Sequence, residues 1–150
     1  MKNFLLDTNI LLLFLRQDKR WDKLNTRFDL PNNRNFISVV TLGELHALAL
    51  RNNWGAKRSA QIDRLKEEFV VLDINIDDII YRYAEIDAFS QGKHLTLALG
   101  MSARSMGKND LCIAATASVF SLTLITTDMD FNHLHSVFVD LQSIDIANIL

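Results

Sequence analysis

Short apolar runs alternate along this chain with longer segments in which apolar residues recur at helical spacing. Parallel strands require crossover connections, which helices usually supply, and crossovers within one sheet are right-handed. The alternation therefore predicts a three-layer α/β/α fold with a central, mainly parallel sheet of four to five strands. The predicted strands are Lys2 to Leu6, Phe36 to Val39, Phe69 to Asp73, Leu122 to Thr126 and Val137 to Asp140.

The segments between these runs predict the helices of the outer layers. No linker, repeat or low-complexity stretch interrupts the pattern, so residues 1–150 are predicted to form a single domain. A short helix is also expected at the carboxyl end of the chain. The other predicted helices are Asn9 to Arg16, Trp21 to Phe28, Thr41 to Arg51, Lys57 to Glu68, Ile76 to Ser90, Leu95 to Ala103 and Leu111 to Ser118.

Composition excludes several classes of protein. The chain is 49% apolar, which is typical of a globular domain, yet no apolar run approaches the roughly 20 residues of a membrane helix. The single cysteine, Cys112, excludes an internal disulfide framework, and we expect a core position in a cytoplasmic protein. The net charge is −2, so any polyanion would have to bind a local basic patch.

Acidic residues recur where predicted strands end or predicted helices begin. Asp7 follows the first strand, Glu44 lies early in the helix after the second, and Asp110 opens a late apolar helix. Asp128 and Asp130 follow the strand that ends at Thr126. The carboxyl ends of parallel strands share one edge, so these carboxylates should gather there and repel one another. Such a cluster favours a hard cation, Mg²⁺ or Mn²⁺.

Each acid also has a purely structural interpretation. Asp7 is suited to cap a helix, and Thr41 to Glu44 has the pattern of a capping box. Asn109 or Asp110 is similarly suited to cap the late helix. The histidines have no zinc-like spacing with Cys112, and we expect His133 and His135 to be surface loop residues.

Taken in order, the acidic motifs resemble those of PIN-domain nucleases, and more narrowly the VapC-type ribonuclease toxins of type II toxin–antitoxin pairs. The resemblance extends from Asp7 to about Asp140. The motifs are Asp7-Thr8-Asn9, Ser38-x-x-Thr41-x-x-Glu44, Asn109-Asp110-x-x-Ile113-Ala114-Ala115 and Thr126-x-Asp128-x-Asp130-Phe131.

The resemblance implies a metal-dependent endoribonuclease with Asp7, Glu44, Asp110 and Asp128 as catalytic and metal-binding residues. Asp130 would be a further metal ligand, and the choice between Asp128 and Asp130 as fourth ligand stays open. The implied cofactor is Mg²⁺ or Mn²⁺, and the implied partners are an RNA, with transfer RNA among the candidates, a cognate antitoxin and a second copy of the chain. The supporting positions would be Thr8, Asn9 and Thr126.

Basic residues near the acids are candidates for RNA contacts. Lys108 is the best placed in sequence, two positions before Asp110. For each of these residues, an ordinary solvated surface position is the competing interpretation. The other candidates are Arg104, Lys93 and Arg51, with Lys57 and Arg58 nearby.

Three alternative functions compete with the nuclease interpretation. A magnesium-dependent phosphatase of the haloacid dehalogenase type needs a second acid two residues after Asp7, where the chain has Asn9. A receiver-like signalling module needs an acidic pair after the first strand, although Asp73 imitates its phosphoacceptor. The third alternative is a PIN fold used only for binding.

Overall fold

The computed structural model describes residues 1–149, in which five strands are covered by helices. Among these residues, no helix combines the length and apolar character needed to cross a membrane. Short 3₁₀ helices occupy Leu30–Asn32, Met129–Leu134 and Ile146–Asn148, and the last of them lies where the short final helix was expected. The strands and α-helices are β1 (Asn3–Leu6), α1 (Thr8–Leu15), α2 (Lys19–Arg27), β2 (Arg34–Ser38), α3 (Val39–Arg51), α4 (Ala56–Asp63), α5 (Leu65–Glu68), β3 (Val70–Leu72), α6 (Asp77–Ser90), α7 (Lys108–Val119), β4 (Thr123–Thr126) and β5 (Asp140–Ser143).

All strand pairs in the sheet are parallel, in the order β3-β2-β1-β4-β5. After β1 the chain adds β2 and then β3 on one side of β1, and it later adds β4 and then β5 on the other side. The sheet order therefore reverses between β1 and β4, which is where open α/β sheets bind ligands. The predicted fold class is confirmed.

Side chains that alternate along β1 separate the two apolar layers. Phe4 and Leu6 pack into one core with helices α1 to α4, whereas Leu5 packs into the other with α6 and α7. The central strand β4 divides in the same way, since Leu124 and Ile125 belong to opposite cores. This is the two-residue period of a strand buried on both faces.

The register of β1 against β4 fixes the geometry at the switch point. Leu6 is paired with Ile125, and the Asp7 amide donates to the Ile125 carbonyl at 3.0 Å. Asp7 and Thr126 consequently leave the sheet side by side. The polar residues that follow these two strands are brought together although they are far apart in sequence.

The predicted helix Leu95 to Ala103 is wrong, because the chain between α6 and α7 has no helix or strand. Leu95 is 99% exposed, so its apolar side chain has no layer to pack against. Gly92 and Gly100 have φ values of +71° and +73°, which belong to turns. Helical spacing of apolar residues predicts a helix only where a neighbouring surface buries them.

Apart from this absent helix, the last strand and one helix depart most from prediction, and the other predicted elements differ by at most three residues at either end. The last strand is β5 rather than Val137 to Asp140, because the amides of Val137 and Phe138 turn back to the Leu134 carbonyl at 3.1 and 3.0 Å. The helix predicted over Lys57 to Glu68 divides at Arg64 into α4 and α5.

His133 is buried rather than on a surface loop, at 7% exposure. Its Nε2 lies 2.7 Å from the Ser90 hydroxyl, and its ring stacks nearly parallel to Phe89. Burial lowers the pKa of the imidazole, and the positive charge of Arg104 acts in the same direction. The expectation for His135 is met, since this residue is exposed.

Two leucines test this account of the core. Leu5→Ala removes a fully buried side chain between β1 and the α6/α7 layer, and we expect it to lower the free energy of unfolding by about 3 kcal/mol. Leu95→Ala should change it by less than about 0.5 kcal/mol. Denaturant unfolding monitored by circular dichroism measures both variants. A similar loss in both would mean that the segment around Leu95 is packed.

Candidate active site

A cleft of about 600 Å³ lies at the carboxyl ends of β1 and β4. A face of α3 lines the cleft, and the amino-terminal turn of α7 contributes further lining residues. The lining residues are mostly polar and come from four separate parts of the chain. They are Asp7, Thr8, Asn9, Val40, Gly43, Glu44, Ala47, Leu48, Arg51, Asn109, Asp110 and Asp128.

Asp7 is 4% exposed, and both of its carboxylate oxygens accept hydrogen bonds. Oδ1 accepts from the Thr8 amide at 2.8 Å, as expected for the residue that caps α1. Oδ2 accepts from the Thr126 hydroxyl at 2.6 Å. Burial raises the pKa of Asp7, these two bonds oppose the rise, and the charges of Glu44 and Asp128 add to it.

Thr126 connects the ends of β1 and β4. Its hydroxyl donates to Asp7 and accepts from the Asp128 amide at 3.0 Å. The predicted supporting position of Thr126 thus has a geometric basis, because one fully buried side chain holds two of the acidic segments in register.

Glu44 lies in the second turn of α3, and the structure excludes its capping-box interpretation. The cap of α3 is Ser38, whose hydroxyl accepts from the Val40 amide at 3.1 Å. The Glu44 side chain instead accepts from the Thr8 hydroxyl at 2.8 Å. The hydroxyls of Thr8 and Thr41 are 3.2 Å apart, so a short polar network orients this carboxylate.

Asp110 is the third residue of α7, and the cap position belongs to Gly107, without a side-chain hydrogen bond. The predicted capping role of Asn109 or Asp110 is therefore wrong. Burial raises the pKa of Asp110 to about 7, and four neighbouring carboxylates add to the rise, those of Asp7, Asp128, Glu44 and Asp130. The first turn of a helix favours a negative charge, but this benefit does not offset the surrounding repulsion.

Three carboxylates come closest together. Asp110, Asp128 and Asp130 each offer an oxygen, and these oxygens all lie within 4.8 Å of one another. Asp128 also accepts from the Asp130 amide at 2.8 Å, which fixes the turn that carries both acids. Asp110 and Asp128 are half-buried and Asp130 is exposed, and oxygen donors at this spacing fit a hard divalent cation. Asp7 and Glu44 lie outside this close set but line the same cleft.

The predicted basic contacts are distributed unevenly. Arg51 lines the cleft, whereas Lys93, Arg104 and Lys108 are exposed and lie outside its lining. Asn9 is exposed and lines the cleft, and its supporting role stays a prediction.

Sequence reasoning missed the contribution of Asn109 and of the α3 face to the cleft. The signal for the α3 residues was their helical spacing, since each lies three or four positions from another residue of the set. The receiver-like alternative gains no support, because Asp73 is exposed at the end of the edge strand β3 and bonds to the following amides.

Known proteins with this architecture include several toxin–antitoxin structures. VapBC2 from Rickettsia felis, solved with a promoter DNA fragment, has a TM-score of 0.69 and 24% identity, covering 95% of this chain and 98% of that one. VapBC-1 from nontypeable Haemophilus influenzae has a TM-score of 0.66 and 26% identity, covering 93% of this chain and 96% of that one. VapC20 from Mycobacterium tuberculosis, a sarcin–ricin loop cleaving toxin, has a TM-score of 0.63 and 15% identity, covering 93% of this chain and 98% of that one.

The family comparison agrees with the resemblance found in the sequence. No curated protein matches the chain. The PIN domain family model matches residues 4–136, a range that contains every acid of the cleft. The chain therefore belongs to the PIN domain family.

Proposed function

We propose that this protein is a metal-dependent endoribonuclease that hydrolyses RNA phosphodiester bonds. The observation that carries the proposal is the convergence of Asp110, Asp128 and Asp130, whose oxygens lie within 4.8 Å of one another, at a cleft that Asp7, Glu44, Asp110 and Asp128 line. Membership of the PIN domain family supports the same chemistry. A pocket of like charges with raised pKa values is costly for folding alone, which favours a functional reason for it.

In this proposal Asp110, Asp128 and Asp130 hold Mg²⁺ or Mn²⁺. When bound, the cation would supply Lewis acidity toward the phosphodiester and a more acidic water molecule. Both ions prefer carboxylate oxygens, and the three acids offer such donors from the first turn of α7 and the turn after β4. The cation would also offset the burial and the repulsion that raise the pKa of Asp110.

The remaining polar residues position the reactants. Asp7 is fixed by Thr8 and Thr126, so its charge faces the cleft in one orientation and completes the cation site. The Thr8 hydroxyl orients Glu44. Glu44 then either accepts a proton from the attacking water or aligns that water for attack. Asn9 donates to a phosphate oxygen at the rim.

We further propose that the protein is the toxin of a VapBC-type pair that acts in the cytoplasm. Its structural neighbours include VapBC complexes and a VapC toxin, which supports a cognate antitoxin as partner. A homodimer and an RNA substrate, with transfer RNA among the candidates, belong to the same proposal.

Incubation with total bacterial RNA tests the nuclease. We expect cleavage with Mg²⁺ or Mn²⁺ that EDTA abolishes, with new ends mapped by sequencing. Asp110→Asn should lower the cleavage rate at least about a hundredfold, because it removes a cation ligand. Asp22→Asn, at an exposed acid on α2, is the matched control and should cleave normally. Cleavage that is unchanged by EDTA or by Asp110→Asn would contradict the metal mechanism.

The raised pKa of Asp110 predicts how pH affects stability and metal binding. The folded protein keeps a proton on Asp110 up to about pH 7, whereas the unfolded chain loses it near the ordinary value of 3.8. In EDTA, the free energy of unfolding should therefore fall as pH rises from about 4 to about 7. Cation affinity should rise over the upper part of this range, with proton release.

Denaturant unfolding and calorimetric titration with Mn²⁺ at several pH values measure these effects. Asp110→Asn is the matched control for stability, since it lacks the titrating group, and its free energy of unfolding should depend less on pH. Equal pH dependence in the two proteins would show that Asp110 titrates normally.

Expression in bacteria tests the toxin assignment. Induction without an antitoxin should arrest growth, and Asp110→Asn at the same soluble level should not, because the arrest requires cleavage. Co-expression of the proposed cognate antitoxin should restore growth. Normal growth with soluble, active protein would remove the toxin assignment and leave the nuclease assignment intact.

A further inference from the structure

One face of α3 forms a continuous wall of the cleft. The α3 wall consists of Val40, Gly43, Glu44, Ala47, Leu48 and Arg51. These positions follow the helical repeat, so they form a single stripe that begins beside the acids and leads away from them. Glu44 and Arg51 are seven residues apart, which corresponds to about 10 Å along the helix axis.

Arg51 supplies the positive charge among the residues that line the cleft. Among residues 1–149, Arg51 takes part in no ion pair, so no carboxylate of the described chain neutralises it. It lies in the last turn of α3, exposed, at the far end of the wall from Glu44. A guanidinium in this position is free to make the bidentate contact that arginine forms with phosphate.

Gly43 lies next to Glu44 in the middle of the same wall. Glycine destabilises a helix interior relative to alanine, yet an added Cβ at Gly43 would meet no atom within 4 Å. Packing within the protein therefore does not require glycine here. Ala47, one turn further on, is also small. Small residues thus lie on both sides of Glu44 along the wall, Gly43 before it and Ala47 after it, which leaves space for a bulky ligand to approach the helix closely.

We propose that a single RNA strand lies along the α3 wall, with the phosphate flanking the scissile one bound by Arg51. The ribose and base between these phosphates would then pass over Ala47 and contact Leu48, and the strand on the other side of the scissile phosphate would pass over Gly43. This inference rests on the proposed nuclease function and identifies the residues that set strand position. Arg51 is a binding residue, and Gly43 provides clearance.

The experiment uses a fluorescein-labelled single-stranded oligoribonucleotide that spans a cleavage site mapped in total RNA. Binding is measured by fluorescence anisotropy in the Asp110→Asn background, where cleavage does not interfere. Arg51→Gln should weaken binding about tenfold. It should also lower the salt dependence, by about 0.7 in the slope of log K against log salt, because one phosphate contact is lost.

The Gly43 variants distinguish the effect of steric clearance on RNA binding from the effect of charge. Gly43→Leu should weaken binding at least about tenfold without changing the salt slope, since it blocks the strand and removes no cation. Gly43→Ala should raise the melting temperature by about 2–4 °C and still weaken binding. Better folding with poorer binding is a combination that a structural role for Gly43 would not produce.

Two variants outside the cleft are the matched controls. Arg64→Gln removes an exposed arginine, and Ala60→Leu adds the same bulk on an exposed position of α4, so both should bind as the parent does. Parental affinity and salt slope in Arg51→Gln and Gly43→Leu would overturn the inference. If these variants lost only antitoxin binding, the wall would serve a protein partner, which also overturns it. Absence of any cleavage by the wild type would instead refute the proposed function.

Discussion

The hydrogen bond from Thr126 to the buried carboxylate of Asp7 is the contact on which the cleft depends. It joins the ends of two central strands whose residues are 119 positions apart. Asp7 has little exposure, so its charge is tolerated only because Thr8 and Thr126 both donate to it. The same threonine accepts from the Asp128 amide, which places the second acidic segment relative to the first.

Around this contact, the fold brings several carboxylates together, although their mutual repulsion opposes folding. Burial and the repulsion between these acids together raise the pKa of Asp110, and the two apolar layers that hold the sheet must outweigh this cost. Stability and proposed activity therefore oppose each other at this site. Substitutions that neutralise an acid should help the metal-free fold while removing its proposed chemistry, as is common for functional sites.

The sequence was informative where two independent signals agreed. Alternating strands and helices, with acids at the strand ends, predicted the parallel sheet and the residues that line its edge. Prediction failed where only one signal was present. Apolar spacing alone suggested a helix around Leu95, but nothing covers that residue. Capping patterns alone suggested local roles for Glu44 and Asp110, although Ser38 and Gly107 occupy those caps. The burial of His133 depends on Ser90 and Phe89 of a distant helix, which no local pattern reveals.

The order in which the acids occur along the chain has a consequence during synthesis. Asp7 is synthesised 119 residues before its partner Thr126, and the pair Asp128 and Asp130 follows Thr126. A nascent chain that ends before these residues therefore has no complete cleft, whatever its earlier segments have folded into. If the protein cuts RNA as proposed, the translating ribosome and its message are safe from the nascent chain until Asp130 has been added.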